Sequence, residues 1–322
     1  MKAAIVLEPG KTPVYGDFRD PVPGNGEVRI NVTAAALSNV VRSRASGAHY
    51  SSSSEFPFVV GIDGVGRLDD GARVYFVLPK PPLGSMSEKT AVKRGQCVSL
   101  PDGLDDVTAA AIANPGMSAW AAMKERGKLE AGETVLVNGA TGTAGRLAVQ
   151  IAKYMGAGKI IATGRNVEAL KSLANLGADV TIPLIQDGDA LEDALEGQFA
   201  DGVDVVVDYL WGPSAERLIV AGAKAGKDAV PIRFVHVGSV SGPEITLPSA
   251  ALRSSAIELM GSGIGSITVD RLVKSIDDLM QAAVPGRFEI AAKTVALSAV
   301  EEVWSTAGNM PRTVFKVAPE LS

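Results

Sequence analysis

Apolar residues recur with two different periods along the chain, and the change of period separates two kinds of structure. In the first third, Val28, Ile30 and Val32 alternate with polar neighbours, and 74–78 is a short apolar run. Glycine and proline interrupt this part often, as is typical of turns between short strands. The pattern therefore predicts a compact, mainly β domain at the beginning of the chain.

From residue 134 onward, apolar strand-like runs alternate with helical segments of about ten residues. The run 135–137 is followed by apolar residues at helical spacing and then by a second run at 160–162. The residues at helical spacing are Leu147, Ala148, Ile151, Ala152 and Met155. Further strand-like runs lie at 180–182, 203–207, 233–237 and 257–260. This alternation predicts a parallel sheet with right-handed crossovers.

The last part of the chain does not continue this alternation. An amphipathic helix is predicted at 269–280, and strand-like segments at 294–297 and 313–317 flank a short helix at 300–306. Because this tail cannot extend a parallel sheet simply, we assign it to the first domain. We expect residues 118–262 to form a domain inserted between 1–117 and 263–322.

The turn after residue 137 is the strongest functional signal. Ala140, Gly142 and Gly145 have the spacing of the dinucleotide fingerprint G-x-G-x-x-G, with alanine in the first position. Small residues there allow a tight turn and let backbone N–H groups meet a pyrophosphate at the helix N-terminus. Because a strand precedes the motif and a helix follows it, we interpret 140–145 as a cofactor site that includes Thr141, Thr143 and Ala144.

The end of the second strand indicates which dinucleotide binds. An NAD site usually places Asp or Glu there to bind the ribose 2′-OH, whereas this chain has Thr163, Gly164, Arg165 and Asn166. An arginine can bind a 2′-phosphate through two parallel charge-assisted hydrogen bonds. The sequence therefore favours NADP(H), with Gly164, Arg165 and Asn166 as binding residues; the alternative is that Arg165 is a solvated surface residue.

Composition and charge argue against several other classes of protein. The 322 residues carry a net charge of -5 without a basic cluster, which argues against general nucleic-acid binding. The first apolar run is too short for a signal peptide, and no run approaches the roughly twenty apolar residues of a membrane span, so we expect a cytoplasmic protein. One cysteine, Cys97, and two histidines, His49 and His236, leave too few ligands for the usual zinc sites, so no metal is expected.

Six segments together resemble a known family. They are M-K-A-A-I-V at 1–6, G-E-V-R-I-N-V at 26–32, G-I-D-G-V-G at 61–66, N-P-G-M-S-A-W at 114–120, G-V-D-V-V-V-D at 202–208 and V-H-V-G-S at 235–239. In order and spacing they resemble the medium-chain dehydrogenase/reductase superfamily and, within it, the zinc-independent quinone oxidoreductases. The resemblance implies an α/β fold in which a Rossmann-type doubly wound parallel sheet is inserted in a mainly β GroES-like catalytic domain. It also implies a homo-oligomer such as a dimer.

Departures from the family pattern bear on the chemistry. Where zinc-dependent members carry two cysteines and a histidine around the metal, this chain has Ser38, Ile62 and Ala113 or Asn114. Quinone reductases commonly show asparagine and aspartate where this chain has Ser38 and Val41. The resemblance therefore implies zinc-free reduction with NADPH, of either a quinone or an α,β-unsaturated carbonyl compound.

Without a metal, side-chain donors must stabilise the charge that develops on the substrate oxygen. Tyr50 is the first candidate, and Ser38 and Asn39 follow, although Tyr50 could instead pack on its loop and the other two could cap the next helix. We interpret His236 as a core histidine rather than a proton donor. By resemblance, Gly238 and Ser239 border the nicotinamide half of the cofactor, and Arg312 reaches the adenosine phosphate.

Two other functions stay open. Enoyl-thioester reductases of polyketide and fatty-acid assembly share the zinc-free design. Some relatives bind NADPH and serve as structural or regulatory proteins instead of enzymes.

Overall fold

The computed structural model describes residues 1–47, 55–306, 308 and 310–317. The chain forms two compact units, one from Met1–Asn114 and Asp270–Ser322 and the other from Pro115–Val269. None of the helices in the described ranges combines the length and the apolar composition that a membrane crossing requires.

The described strands are β1 (Lys2–Val6), β2 (Val14–Asp17), β3 (Glu27–Ala36), β4 (Phe58–Val59), β5 (Asp63–Leu68), β6 (Arg73–Val77), β7 (Lys89–Lys93), β8 (Cys97–Ser99), β9 (Thr134–Asn138), β10 (Lys159–Gly164), β11 (Val180–Pro183), β12 (Val205–Asp208), β13 (Ile232–His236), β14 (Ile257–Gly261), β15 (Ala292–Ala296) and β16 (Arg312–Lys316). The described α-helices are α1 (Asn39–Ala45), α2 (Asp106–Trp120), α3 (Thr143–Tyr154), α4 (Val167–Ser172), α5 (Gly188–Asp201), α6 (Gly212–Ala225), α7 (Ser249–Arg253), α8 (Val269–Ala283) and α9 (Val300–Trp304).

The first unit is mainly β. Its larger sheet has the order β15-β16-β3-β5-β6-β8, with β7 also pairing with β3, and a smaller sheet has the order β2-β1-β4. The predicted alternation is confirmed in β3, where Ile30 and Val32 are buried and Asn31 between them is exposed. The C-terminal β16 pairs with β3, so the tail of the chain completes the sheet that its beginning starts.

The second unit contains a doubly wound parallel sheet. Its described strands have the order β11-β10-β9-β12-β13-β14, and every neighbouring pair is parallel. The central strands read as continuous apolar runs because both of their faces are buried, as Val205, Val206 and Val207 illustrate with no exposed surface. The strand order reverses between β9 and β12, and this is the position where such sheets bind ligands beyond the carboxyl ends of their strands. The predicted fold class is confirmed.

Candidate cofactor site

The turn between β9 and α3 is tightly packed on its inner side and open on its outer side, at the N-terminus of α3. Gly139 turns the chain with a φ of +86°, in the left-handed region that favours glycine. A Cβ at Gly145 would collide with the Gly139 carbonyl oxygen and lie 2.5 Å from the Ala140 Cα, so this glycine lets the helix pack onto the turn. At Gly142, by contrast, the nearest atom to an added Cβ would be 3.8 Å away. The outer side of the turn is therefore open.

Sequence reasoning singled out Ala140, Gly142 and Gly145 in this turn and did not include Gly139, which has the positive φ. Ala140 is fully buried, and its N–H donates to the Thr163 carbonyl oxygen at 2.8 Å. The asparagine-glycine pair at 138–139, a common turn signal, could have identified Gly139 as well. Gly139 therefore makes the turn beside the predicted residues Ala140, Gly142 and Gly145, and the first turn of α3 follows directly with its N–H groups.

The end of β10 lies against this turn. An added Cβ at Gly164 would lie 2.6 Å from Thr141 Cγ2, so the two strand ends approach closely. Arg165 follows and is exposed, with no ion pair among the described residues. Asn166 caps α4, because its side chain accepts a hydrogen bond from the Ala169 N–H at 3.0 Å. Arg165 is therefore available to bind an anion beside the glycine turn.

A hydrogen-bond network that sequence reasoning missed joins the carboxyl ends of three neighbouring strands. Thr163 Oγ1 donates to Asn138 Oδ1 at 2.6 Å, and Asn138 Nδ2 donates to Asp208 Oδ1 at 2.7 Å. Backbone N–H groups of Leu210 and Trp211 also donate to the Asp208 carboxylate, at 3.0 to 3.2 Å. Each of these strands is an apolar run with a polar residue at or near its end, which is the signal that could have revealed the network. The network fixes the strand ends at the point where the strand order reverses.

The loop after β13 lies next to this network. The Gly238 N–H donates to the Asp208 carbonyl oxygen at 3.2 Å, and a Cβ at Gly238 would lie 3.1 Å from the Tyr209 carbonyl oxygen. Ser239 follows and is exposed. His236 is not a core residue, since 32% of its side chain is exposed, and its Nδ1 lies 3.3 Å from Asp208 Oδ2. Interpreting it as a core histidine was wrong.

The candidate donors in the first unit are located only in part. Ser38 is buried and caps α1, where its hydroxyl accepts a hydrogen bond from the Val41 N–H at 3.2 Å. Asn39 is the first residue of α1 and is exposed. Tyr50 and His49 lie outside the described residues. The capping role left open for Ser38 is therefore present, while the donor roles stay predictions.

Arg312 is buried inside the first unit, near two other buried polar groups. Burial raises the pKa of the Asp63 carboxyl to about 6, although a hydrogen bond from Tyr75 and the positive charge of Arg312 act in the opposite direction. The Tyr75 hydroxyl donates to Asp63 Oδ2 at 2.7 Å. Among the described residues, Asp63 Oδ1 and the Arg312 Nε and Nη2 atoms have no hydrogen-bond partner. Binding of the adenosine phosphate by Arg312 stays a prediction.

Side chains that could hold a metal ion are scattered in the described parts of both units. Among the residues that the structure describes, no three His, Cys, Asp or Glu side chains converge on a point where they could bind such an ion.

Known proteins resemble this chain in sequence and in fold. Residues 144–281 match the family described as zinc-binding dehydrogenase. A protein described as a probable NADPH-dependent quinone reductase, tdiC of Emericella nidulans, is 29% identical over 336 aligned residues, which cover 91% of this chain and 92% of that protein. The 2-methylene-furan-3-one reductase of Solanum lycopersicum is 27% identical over 285 residues, covering 82% of this chain and 71% of that protein.

Solved structures of known proteins share the fold. The quinone oxidoreductase of Thermus thermophilus, whose structure was also solved in complex with NADPH, superimposes with a TM-score of 0.80 at 23% identity, covering 98% of this chain and all of that one. The resemblance expected from the sequence is thereby confirmed: the chain is similar in sequence to the zinc-binding dehydrogenase family and to a protein described as an NADPH-dependent quinone reductase, and it shares its fold with a quinone oxidoreductase.

Proposed function

We propose that this protein is an NADPH-dependent reductase of quinones or α,β-unsaturated carbonyl compounds. The observation that carries the proposal is the open glycine turn at the N-terminus of α3, with the exposed Arg165 at the end of the adjacent strand. When bound, NADPH supplies the hydride that reduces the acceptor. The residues of this chain bind the cofactor, select it and stabilise charge on the acceptor.

The phosphates of the cofactor would be held by two groups. Gly142 leaves space above the turn, and the N–H groups of the first helical turn meet the pyrophosphate with the positive end of the helix dipole. Arg165 binds the 2′-phosphate, and the absence of a carboxylate at 163–166 removes the repulsion that would exclude it. The predicted binding residues from Ala140 to Gly145 belong to the turn after β9 and the start of α3, and Gly164 to Asn166 belong to the end of β10 and the two residues after it.

The acceptor class comes from the relatives and from the candidate donors. The two curated relatives are described as reductases of a quinone and of a methylene-furanone. Hydroxyl and amide groups of Tyr50, Ser38 and Asn39 would donate to the acceptor oxygen as negative charge develops there. The Ser38 hydroxyl accepts a bond from Val41 and can still donate its own proton.

The test is the oxidation of NADPH by the purified protein, followed by loss of NADPH absorbance, against a panel of quinones and enones. We expect turnover with at least one acceptor and a much weaker reaction with NADH. Turnover of a crotonyl thioester in preference to every quinone and enone would favour the enoyl-thioester reductase alternative. Tight NADPH binding without oxidation by any acceptor would favour a structural or regulatory protein.

We also propose a cytoplasmic homodimer. β14 is the last strand on its side of the sheet among the described residues, and it is only partly buried, so it offers backbone groups to a second copy. The lone free Cys97 fits a reducing compartment. Sedimentation analysis should give the mass of a dimer, and a monomer at micromolar concentration would contradict this part of the proposal.

A further inference from the structure

His236 and Asp208 form a pair at the carboxyl ends of two adjacent strands. They are register partners in β12 and β13, and His236 Nδ1 lies 3.3 Å from Asp208 Oδ2. The carboxylate is fully buried and accepts further hydrogen bonds from Asn138 and from the Leu210 and Trp211 N–H groups. A buried carboxylate with so many donors holds the imidazole in one orientation.

This pairing also determines which ring nitrogen of His236 can accept a hydrogen bond from a ligand. A carboxylate only accepts hydrogen bonds, so Nδ1 of His236 carries the proton that faces Asp208, and in the neutral ring Nε2 is an acceptor. Nε2 has no hydrogen-bond partner among the described residues, while about a third of the side chain is exposed. The histidine therefore presents an oriented and unused acceptor at the surface of the second unit.

Trp211 completes the arrangement. Its ring centroid lies 4.2 Å from that of His236, at an interplanar angle of 40°. Its backbone has φ 56° and ψ −157°, a strained combination for a residue with a side chain. Gly212 follows with φ +58°, and an added Cβ there would lie 2.9 Å from the Ser241 carbonyl oxygen. The strained turn places an indole ring against one face of the imidazole and so restricts its rotation.

The position relative to the glycine turn indicates the ligand group. Arg165, which directly follows β10, is the residue proposed for the adenosine side, so the nicotinamide side would extend across the reversal of strand order toward β12 and β13. His236 is two strands from the end of β9, which corresponds to on the order of 10 Å. The ribose of the nicotinamide half, together with the nicotinamide ring, extends about this far from the pyrophosphate. The hydroxyls of that ribose would therefore lie beside β13.

We propose that His236, oriented by Asp208 and Trp211, accepts a hydrogen bond through Nε2 from a ribose hydroxyl of the nicotinamide half of NADPH. Asp208 and Trp211 act as positioning residues. This inference rests on the proposed function, because it requires that NADPH binds along the carboxyl ends of the strands.

The test compares two ligands and two variants of the full chain by calorimetry. NADPH carries the nicotinamide half, and adenosine 2′,5′-bisphosphate lacks it. In His236→Asn, the side-chain amide can still donate to Asp208, but nothing replaces Nε2. In His236→Gln, the longer amide can reach the position of Nε2.

We expect His236→Asn to weaken NADPH binding about 3- to 10-fold, as the loss of one neutral hydrogen bond predicts, and to leave the affinity for adenosine 2′,5′-bisphosphate unchanged. His236→Gln should restore most of the NADPH affinity. Unchanged NADPH affinity in His236→Asn, or an equal loss for both ligands, would overturn the inference. Equal losses in the two variants would attribute the effect to ring packing on Trp211 and would overturn it as well.

The same measurement separates this inference from the proposed function. A wild-type protein that binds neither ligand refutes both. A wild-type protein that binds both ligands, with variants that match it, refutes only the role of His236. Thermal unfolding of each variant shows whether a loss of affinity accompanies a loss of structure, and a loss of affinity confined to NADPH cannot come from general unfolding.

Discussion

Gly145 packs so closely on Ala140 that a single added methyl group would lie 2.5 Å from the Ala140 Cα. Both residues are buried, and the neighbouring atoms are backbone, which cannot rotate away. The packing of α3 on the strand end, and with it the position of the helix N-terminus, depends on this contact.

We therefore predict that Gly145→Ala destabilises the protein by about 2 to 3 kcal/mol, because the overpacking exceeds the roughly 1 kcal/mol that alanine contributes to helix propensity. Urea unfolding measures the change. NADPH affinity should fall in the same variant, since the clash moves the helix N-terminus. Stability equal to that of the wild type would contradict the close packing.

Gly142→Ala is the matched control in the same turn. Its added methyl group meets no atom closer than 3.8 Å, so stability should stay within about 1 kcal/mol of the wild type. The methyl group would, however, occupy the open space that we assign to the pyrophosphate. We expect NADPH affinity to fall at least about tenfold without loss of structure. Unchanged affinity would contradict the proposed position of the pyrophosphate.

Cofactor preference should depend on Arg165. Arg165→Glu removes a bidentate donor and adds a carboxylate that repels the 2′-phosphate, so the KM for NADPH should rise about 10- to 100-fold while that for NADH changes little. Lys159→Gln is the control, because it removes a positive charge from the first residue of β10, the strand that Arg165 directly follows. Equal effects of Arg165→Glu on both cofactors would contradict the proposal that Arg165 binds the 2′-phosphate.

The buried Asp63 should make stability depend on pH. Its pKa is raised to about 6 in the folded protein from an ordinary value of 3.8. Well below pH 3.8 the carboxyl is protonated in both states. Between that pH and about 6 only the unfolded chain releases the proton, so folding becomes less favourable as pH rises.

Asp63→Asn abolishes this titration and keeps an oxygen that accepts from Tyr75. The variant should therefore gain about 2 to 2.5 kcal/mol relative to the wild type between about pH 4 and about pH 8, which is most of what a pKa difference of about two implies. Urea unfolding at both pH values measures it, and Asp69→Asn, which removes an exposed carboxylate, is the control. A difference that does not vary with pH would refute the prediction.

Ser38 has a structural role that can be separated from its predicted chemical one. Its hydroxyl caps α1, so Ser38→Ala should cost about 1 kcal/mol, whereas Ser38→Gly should cost only a few tenths. Both variants lack the hydroxyl, and if it donates to the acceptor oxygen, kcat should fall at least about tenfold in both. A Ser38→Gly variant with normal stability and normal kcat would leave Ser38 as a helix cap only.

Much of the fold could be predicted because its signals are local. The alternation of apolar residues in β3, the buried strands around Val135–Val137 and the small residues before α3 follow from side-chain periods and backbone freedom within a few neighbouring positions. The exposure of Arg165 could be predicted locally as well, because a polar residue directly after a buried strand usually faces solvent. These features determined the class of fold and the class of cofactor.

Only the tertiary structure decided which distant side chains meet. Asp208 and His236 are 28 residues apart, and Asn138 and Asp208 are 70 apart, yet strand order and register bring them together at one edge of the sheet. The same holds for Arg312, a charged residue that sequence reasoning placed near a phosphate and that the pairing of β16 with β3 buries near Asp63. Side-chain periods specify which face of an element is apolar, but contacts between elements depend on pairing across the whole chain, and so the surroundings of Asp208, His236 and Arg312 emerged only from the folded protein.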